Sequence, residues 1–81
     1  MAMYDPLADH LQGAGDRISM SFGEIEDLVG SLPPSARKYR QWWENSRSHV
    51  QAEAWMSAGY EVSEVDASEE RVVFSAVSRR Q

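Results

Sequence analysis

The stretch RISMSFGE, residues 17–24, joins a predicted strand to a predicted helix. Polar and apolar residues alternate from Arg17 to Ser21, which predicts a strand with Ile18 and Met20 facing inward. The SFGE segment has the spacing of a capping box, in which a serine side chain and a glutamate three residues later satisfy free amides at a helix start. A strand that leads directly into a helix is therefore predicted here.

Apolar residues recur at helical spacing after this junction. Phe22, Ile25 and Val29 are separated by three and four positions, which predicts one buried helix face. Gly30 follows and is a common helix terminator. The next segment, SLPP, is a rigid turn because proline fixes the backbone and lacks an amide proton. The second helix of the chain is thus expected to span about residues 22–29.

A third helix is predicted after the double proline. Ser35 is its expected cap, and the helix should run to about Asn45, a residue type that tolerates left-handed geometry at a helix end. Ala36, Tyr39 and Trp43 would share its buried face, with Trp42 at the margin.

A fourth helix is predicted to follow at once. Residues 48–51 repeat the capping-box pattern. The helix that they open is expected to bury Val50, Ala54 and Trp55 and to end at Gly59.

The carboxyl-terminal part has the pattern of a hairpin. Residues 60–65 and 71–77 are strand-like, and the polar residues 66–70 form the turn. A short first helix is predicted where Leu7 and Leu11 form an apolar pair, with Asp5 as its cap and Pro6 at its first position. The fold class is therefore α+β: a small antiparallel sheet of three short strands, packed by three to four helices. Its order after the first helix is winged-helix-like, β-α-α-(α)-β-β.

Length and composition limit the classes of protein to which the chain can belong. The 81 residues form one domain, 1–81, with flexible ends expected at 1–3 and 78–81. No cysteine is present, so disulfides and thiolate metal sites are excluded. No apolar run reaches the roughly 20 residues that a membrane span needs, and the start lacks a signal-peptide pattern. We therefore expect a cytoplasmic protein with no membrane contact.

The segment from residue 35 to residue 49 reverses the charge of the chain. It carries four of the eight basic residues and one acid, whereas the whole chain has a net charge of −5. Arginine pairs bidentately with phosphates and guanine, amide side chains pair with adenine, and tryptophan can stack on a base. The predicted nucleic-acid or partner-binding residues are Arg37, Lys38, Arg40, Gln41, Trp42, Asn45 and Arg47.

Two other interpretations of these residues remain open. The arginines could pair with acids of the same chain, such as Glu44, Glu53 or the acids of the hairpin. The three tryptophans could all fill the core of so small a domain. Binding to DNA by an acidic chain would also be weak for a monomer and would favour a homodimer with paired basic faces.

Catalytic patterns have little support. The two histidines, His10 and His49, have no metal-ligand spacing. The acids Glu24, Glu26 and Asp27 lie near a helix start, where the helix dipole accounts for them. We therefore predict no enzyme activity, no catalytic residues, no cofactor and no metal.

Several short motifs resemble a known family. They are YDPL at 4–7, MSFGEIE at 20–26, LPPSA at 32–36, WxN at 43–45, AWxxAGY at 54–60 and VVF at 72–74. Together they look like a family of short, uncharacterised bacterial and phage domains, largely actinobacterial, of unknown function. The resemblance covers nearly the whole chain and implies a small free-standing domain, but it brings no activity.

Two function classes follow as expectations. The first is a non-enzymatic, winged-helix-like domain that binds double-stranded DNA through a basic helix over residues 35–47. The alternative is a protein-interaction module, such as a phage-encoded modulator of a host protein. It would dock through the surface of Trp42 and Arg40 or through the edge of the hairpin.

Overall fold

The computed structural model of the chain describes residues 3–46 and 48–77. Arg47 lies outside the described part, as do residues 1–2 and 78–81, which make up most of the predicted flexible ends. The elements, in chain order, are α1 Asp5–Leu11, β1 Arg17–Ser21, α2 Phe22–Val29, α3 Pro34–Lys38, a 3-10 helix Arg40–Trp43, α4 Val50–Ser57, β2 Tyr60–Asp66 and β3 Arg71–Ala76.

The three strands form one antiparallel sheet in the order β1-β3-β2. Phe74 of β3 is paired with Ile18 on one side and with Val62 on the other. A bulge interrupts β2 between Val62 and Glu64. The predicted α+β class, the three strands and the order of the elements are confirmed.

The start of α2 confirms the capping box at the strand-to-helix junction. Ser21 Oγ accepts a hydrogen bond from the Glu24 amide at 3.0 Å, and the Ser21 amide donates to Glu24 Oε1 at 2.8 Å. Two amides that the helix leaves unpaired are thus satisfied reciprocally. Phe22, Ile25 and Val29 are buried as predicted.

Aromatic rings form the centre of the core. The Trp43 ring stacks on Phe22 at 5.3 Å between centroids and on Trp55 at 5.9 Å. Trp55 in turn contacts Phe74 of the central strand at 5.6 Å. All four side chains are at most 2% exposed. The stack joins α2, the 3-10 helix, α4 and the sheet.

The predicted third helix is wrong in its extent. It ends at Lys38, and Tyr39 has an extended backbone with φ −122° and ψ 122°. An uninterrupted helix would use the Ala36 carbonyl for a backbone amide four residues on. Here that carbonyl instead accepts from the indole Nε1 of Trp43 at 2.8 Å. The interruption lets this side chain enter the core.

Three details of that prediction are corrected as well. Pro33, not Ser35, is the N-cap residue of α3, and no side chain caps it. Tyr39, predicted to be buried, is 51% exposed because the helix has ended before it. Asn45 is not left-handed, since Glu70 is the one described non-glycine residue with positive φ.

Smaller corrections concern the other two helix starts. The N-cap of α1 is Tyr4, so Asp5 begins that helix rather than capping it. The second capping box does not form: His49 is the N-cap of α4 without a side-chain bond. Val50 is 73% exposed rather than packed, whereas Trp55 is fully buried as predicted.

Candidate interaction surface

Arg37 is bound to carboxylates of its own chain, one of them in the hairpin, as the alternative interpretation of the arginines expected. Its Nη2 lies 3.0 Å from Glu26 Oε1 of α2. Its Nη1 donates to Glu70 Oε2, in the turn between β2 and β3, at 2.8 Å. The guanidinium carbon also lies 5.5 Å from the centroid of the Phe22 ring. Arg37 thus joins α2, α3 and the hairpin, and two acids of the chain neutralise its charge.

The ionisation of Glu26 reflects this arrangement. The hydrogen bond that its Oε2 accepts from the Leu32 amide, at 3.0 Å, and then the Arg37 guanidinium lower the pKa of Glu26. The same pairing with Glu26 raises the pKa of Arg37. Both groups are therefore held in their charged forms.

Replacing Glu26 by glutamine is expected to lower the melting temperature at neutral pH. Because folding lowers the pKa of Glu26, its stabilising contribution is complete above the ordinary value of 4.5 and is lost as the pH falls through the folded-state value. The difference between wild type and variant should therefore shrink below about pH 4.5. Thermal unfolding followed by circular dichroism over a pH series measures it, with Glu61→Gln as an exposed control. A difference that persists unchanged into acid would contradict the assignment.

The Asn45 side chain forms hydrogen bonds with both β2 and α4. Its Nδ2 donates to the Val62 carbonyl at 3.0 Å, and its Oδ1 accepts from the Val62 amide at 2.8 Å. Oδ1 also accepts from Trp55 Nε1 at 2.8 Å. Oδ1 already accepts two of these bonds, so the side chain is not available for the bidentate pairing that reads an adenine edge.

The remaining cationic candidates are exposed. Lys38 and Arg40 form no ion pair with any residue of the described ranges 3–46 and 48–77. Lys38 Nζ lies 6.0 Å from the centroid of the Tyr39 ring. Gln41, between Arg40 and Trp42, is exposed too. Arg47, the remaining predicted cation, lies outside the described residues.

Trp42 lies at the boundary of the core, as the sequence predicted. Its ring is edge-to-face with Trp43 at 4.6 Å and with Tyr4 at 6.1 Å between centroids. Its backbone carbonyl accepts a hydrogen bond from Gln51 Nε2 at 2.9 Å. The ring is therefore held on one side and half-buried, which leaves part of it available to a partner.

A groove opens beside this ring. It has a volume of about 350 Å³, and we call it the aromatic groove; its lining residues are Ser35, Tyr39, Gln41, Trp42, His49 and Gln51. Tyr39, half exposed, and Trp42 supply its aromatic surface. The exposed Val50 directly follows His49 in the chain. The groove combines apolar rings with hydroxyl and amide groups.

A second depression lies on the other side of the 3-10 helix. We call it the polar cleft; it measures about 440 Å³ and is lined by Arg40, Gln41, Trp43, Glu44, Asn45 and Val62–Val65. Gln41 lines both depressions. The 3-10 helix is therefore a ridge between an aromatic and a polar recess, and four of the sequence-predicted residues lie on it or beside it: Arg40, Gln41, Trp42 and Asn45.

Sequence reasoning missed four residues of the aromatic groove. Tyr39 was assigned to the core, and Ser35, His49 and Gln51 were assigned to helix starts. No local pattern marks the break at Tyr39, because it depends on the hydrogen bond from the Trp43 indole to the Ala36 carbonyl, two turns earlier in the chain. His49 Nδ1 is buried and has no hydrogen-bond partner among residues 3–46 and 48–77.

Within the described ranges, no three His, Asp or Glu side chains are grouped so that they could hold a metal ion. In the same part of the chain, no helix combines the length and the apolar character needed to cross a bilayer.

Comparison with known proteins assigns the chain to a family. Residues 4–77 match the model of a domain of unknown function, DUF7662. The chain belongs to this family. The match spans nearly the whole chain, which confirms the resemblance to an uncharacterised family. No curated protein and no solved structure matches the chain.

Proposed function

We propose that this DUF7662 domain is a non-enzymatic protein-interaction module whose docking surface is the aromatic groove with the cations beside it. The partner would be a protein segment that presents an aromatic or aliphatic anchor next to acidic residues. The observation that carries the proposal is the exposure of Tyr39 beside a half-buried Trp42, in a domain that buries its other two tryptophans.

The aromatic groove supports such a partner by its chemistry. Tyrosine and tryptophan are enriched where proteins bind each other, because each presents a large rigid apolar area together with a polar atom. Trp42 is held by Tyr4, Trp43 and the Gln51 bond to its carbonyl. A ring held in this way loses little conformational entropy when a partner packs on it.

Charge supports an acidic partner. Lys38 and Arg40 adjoin Tyr39 and Trp42, whereas the chain as a whole carries −5. A local positive patch on an acidic protein guides a partner with carboxylates to that patch and disfavours other orientations.

Double-stranded DNA is the competing partner. Of the predicted contacts, Arg37 and Asn45 are engaged within the chain, which leaves Lys38, Arg40 and Gln41 among the described residues. The turn between β2 and β3, where a wing would enter a groove, contains the acids Glu69 and Glu70. DNA binding therefore becomes an alternative outcome of the test. A phage origin, a cytoplasmic location and a host target belong to the same proposal.

Paired variants test the surface. The double variant Lys38→Glu/Arg40→Glu and the single variant Tyr39→Ser are expected to lose binding while they unfold at nearly the wild-type temperature, because all three side chains are exposed. Arg71→Ala on the sheet is the matched control. Each protein is immobilised and exposed to a nuclease-treated lysate of cells that carry the gene, and the captured protein is then fragmented to map the bound segment.

The outcomes are distinct. A captured segment that contains acids next to an apolar anchor, retained by Arg71→Ala and lost by both groove variants, supports the proposal. Capture that the groove variants retain overturns it. Gel shifts of genomic DNA fragments that weaken steeply with added salt, and disappear in Lys38→Glu/Arg40→Glu, would replace it with DNA binding.

A further inference from the structure

The two edges of the sheet differ in whether their outward backbone groups already have hydrogen-bond partners. β2 is the edge strand on one side, and its outward amide and carbonyl at Val62 are both bonded to the Asn45 side chain. The bulge after Val62 also distorts this edge. Such features oppose the addition of another strand. β1 is the edge strand on the other side.

The hydrogen bonds at the two ends of β1 determine which of its residues point outward. The Asp16 carbonyl accepts from the Ala76 amide at 2.8 Å, and the Phe22 amide donates to the Glu70 carbonyl at 2.8 Å. Because backbone groups alternate along a strand, Ile18 and Met20 also pair with β3. Arg17 and Ser19 therefore direct their amides and carbonyls away from the sheet.

No hydrogen bond within the described ranges uses these outward backbone groups of Arg17 and Ser19. The two residues are two positions apart, which is the repeat at which an antiparallel neighbour forms its paired hydrogen bonds. An added strand could form four such bonds here. The edge of β1 is open at Arg17 and Ser19, whereas the edge of β2 is closed at Val62.

A small cleft lies beneath this open edge, on the helix side of the sheet. It measures about 210 Å³ and is lined by His10, Ile18, Ser19, Met20, Glu24, Asp27 and Leu28. That volume is below the roughly 300 Å³ at which small-molecule pockets begin. It suits a single side chain, and the residue of an added strand opposite Ile18 would point to this side.

The lining of the cleft indicates which side chain fits. Ile18, Met20 and Leu28 offer apolar walls, while the carboxylates of Glu24 and Asp27 stand at its α2 side. Lysine and arginine combine an aliphatic stem with a charged end. A second copy of the chain would instead bring its own α2 acids close to these two, which disfavours pairing between copies.

We infer that the edge of β1 binds an extended, basic segment of a partner protein by strand addition, with one lysine or arginine side chain in the cleft beneath Ile18. This surface is separate from the aromatic groove and does not depend on the function proposed for it.

A titration of the isotope-labelled chain with a defined peptide tests the inference. The probe is an acetylated and amidated heptapeptide, threonine-valine-threonine-lysine-threonine-valine-threonine, whose central lysine would lie opposite Ile18. We expect the amide resonances of Arg17 and Ser19 to shift and their hydrogen exchange to slow. The same peptide N-methylated at its third and fifth residues cannot donate those bonds and should bind about tenfold more weakly. A central glutamate should weaken binding as well.

The variant Asp27→Asn separates charge recognition from strand addition. It should weaken binding of the lysine peptide severalfold while leaving the fold unchanged, because Asp27 is exposed. Absence of shifts in β1 at millimolar peptide, equal binding of the N-methylated peptide, or shifts confined to the aromatic groove would each overturn the inference. Concentration-dependent self-association through β1, seen by sedimentation, would overturn it too, by assigning the edge to a second copy.

Discussion

Trp43→Ala is expected to lower the free energy of unfolding by about 3–5 kcal/mol. The side chain is 2% exposed and stacks between Phe22 and Trp55. Its removal leaves a large cavity and deprives the Ala36 carbonyl of its 2.8 Å indole partner. Domains of this size are stable by about 4–12 kcal/mol, so the variant should lie close to the limit of folding.

Urea unfolding followed by far-ultraviolet circular dichroism measures this effect. Trp42→Ala is the matched control, since it removes the same side chain from the neighbouring, half-buried position. The control should lose much less stability and should lose binding at the aromatic groove. Equal losses of stability in the two variants would contradict the division of the pair into a core residue and a docking residue.

Asn45→Ala is expected to lower the free energy of unfolding by about 1–3 kcal/mol. Water can replace the amide at the exposed edge of β2, so the two bonds to Val62 contribute little of this cost. Trp55 is fully buried, however, and its Nε1 would lose its partner inside the core. An unpaired buried donor carries the full cost of its desolvation.

Two further variants show which atom of Asn45 carries the effect. Asn45→Asp keeps the acceptor for Trp55 Nε1 and loses the donor to the Val62 carbonyl, so it should be milder than alanine. Gln41→Ala removes an exposed amide side chain close by and should leave stability within experimental error. If aspartate were as destabilising as alanine, the assignment to the Trp55 bond would be wrong.

The parts of the fold that the sequence predicted correctly are those determined by a few consecutive residues. Alternation marked β1, and the capping box at Ser21 placed the start of α2 at the correct residue. Proline also marked the turn before α3. In each case a few consecutive residues contain all of the physical cause, because the satisfied groups lie within one turn of the chain.

The errors concentrate where groups more than one helical turn away determine the local structure. The break at Tyr39 depends on an indole that replaces a helix amide at the Ala36 carbonyl. The second capping box does not form: Ser48 Oγ is paired with Ser46 Oγ at 2.8 Å, and the Gln51 side chain is bound to the Trp42 carbonyl. Arg37 and Asn45 resembled binding residues by type, yet their partners Glu70 and Val62 lie 33 and 17 positions away. Residue type offered the hairpin acids as possible partners of the arginines, but spacing does not show which acid meets which arginine.

The side chain of Asn45 also limits how the molecule can aggregate. This side chain forms the hydrogen bonds at the Val62 amide and carbonyl that the backbone of a neighbouring chain would otherwise form. Fibril growth needs two accessible sides on every unit, one to attach and one to receive the next. A molecule whose β2 edge is blocked cannot receive the next molecule there, so it ends any fibril that it joins. The β1 edge can therefore stay open without leading to continued fibril growth.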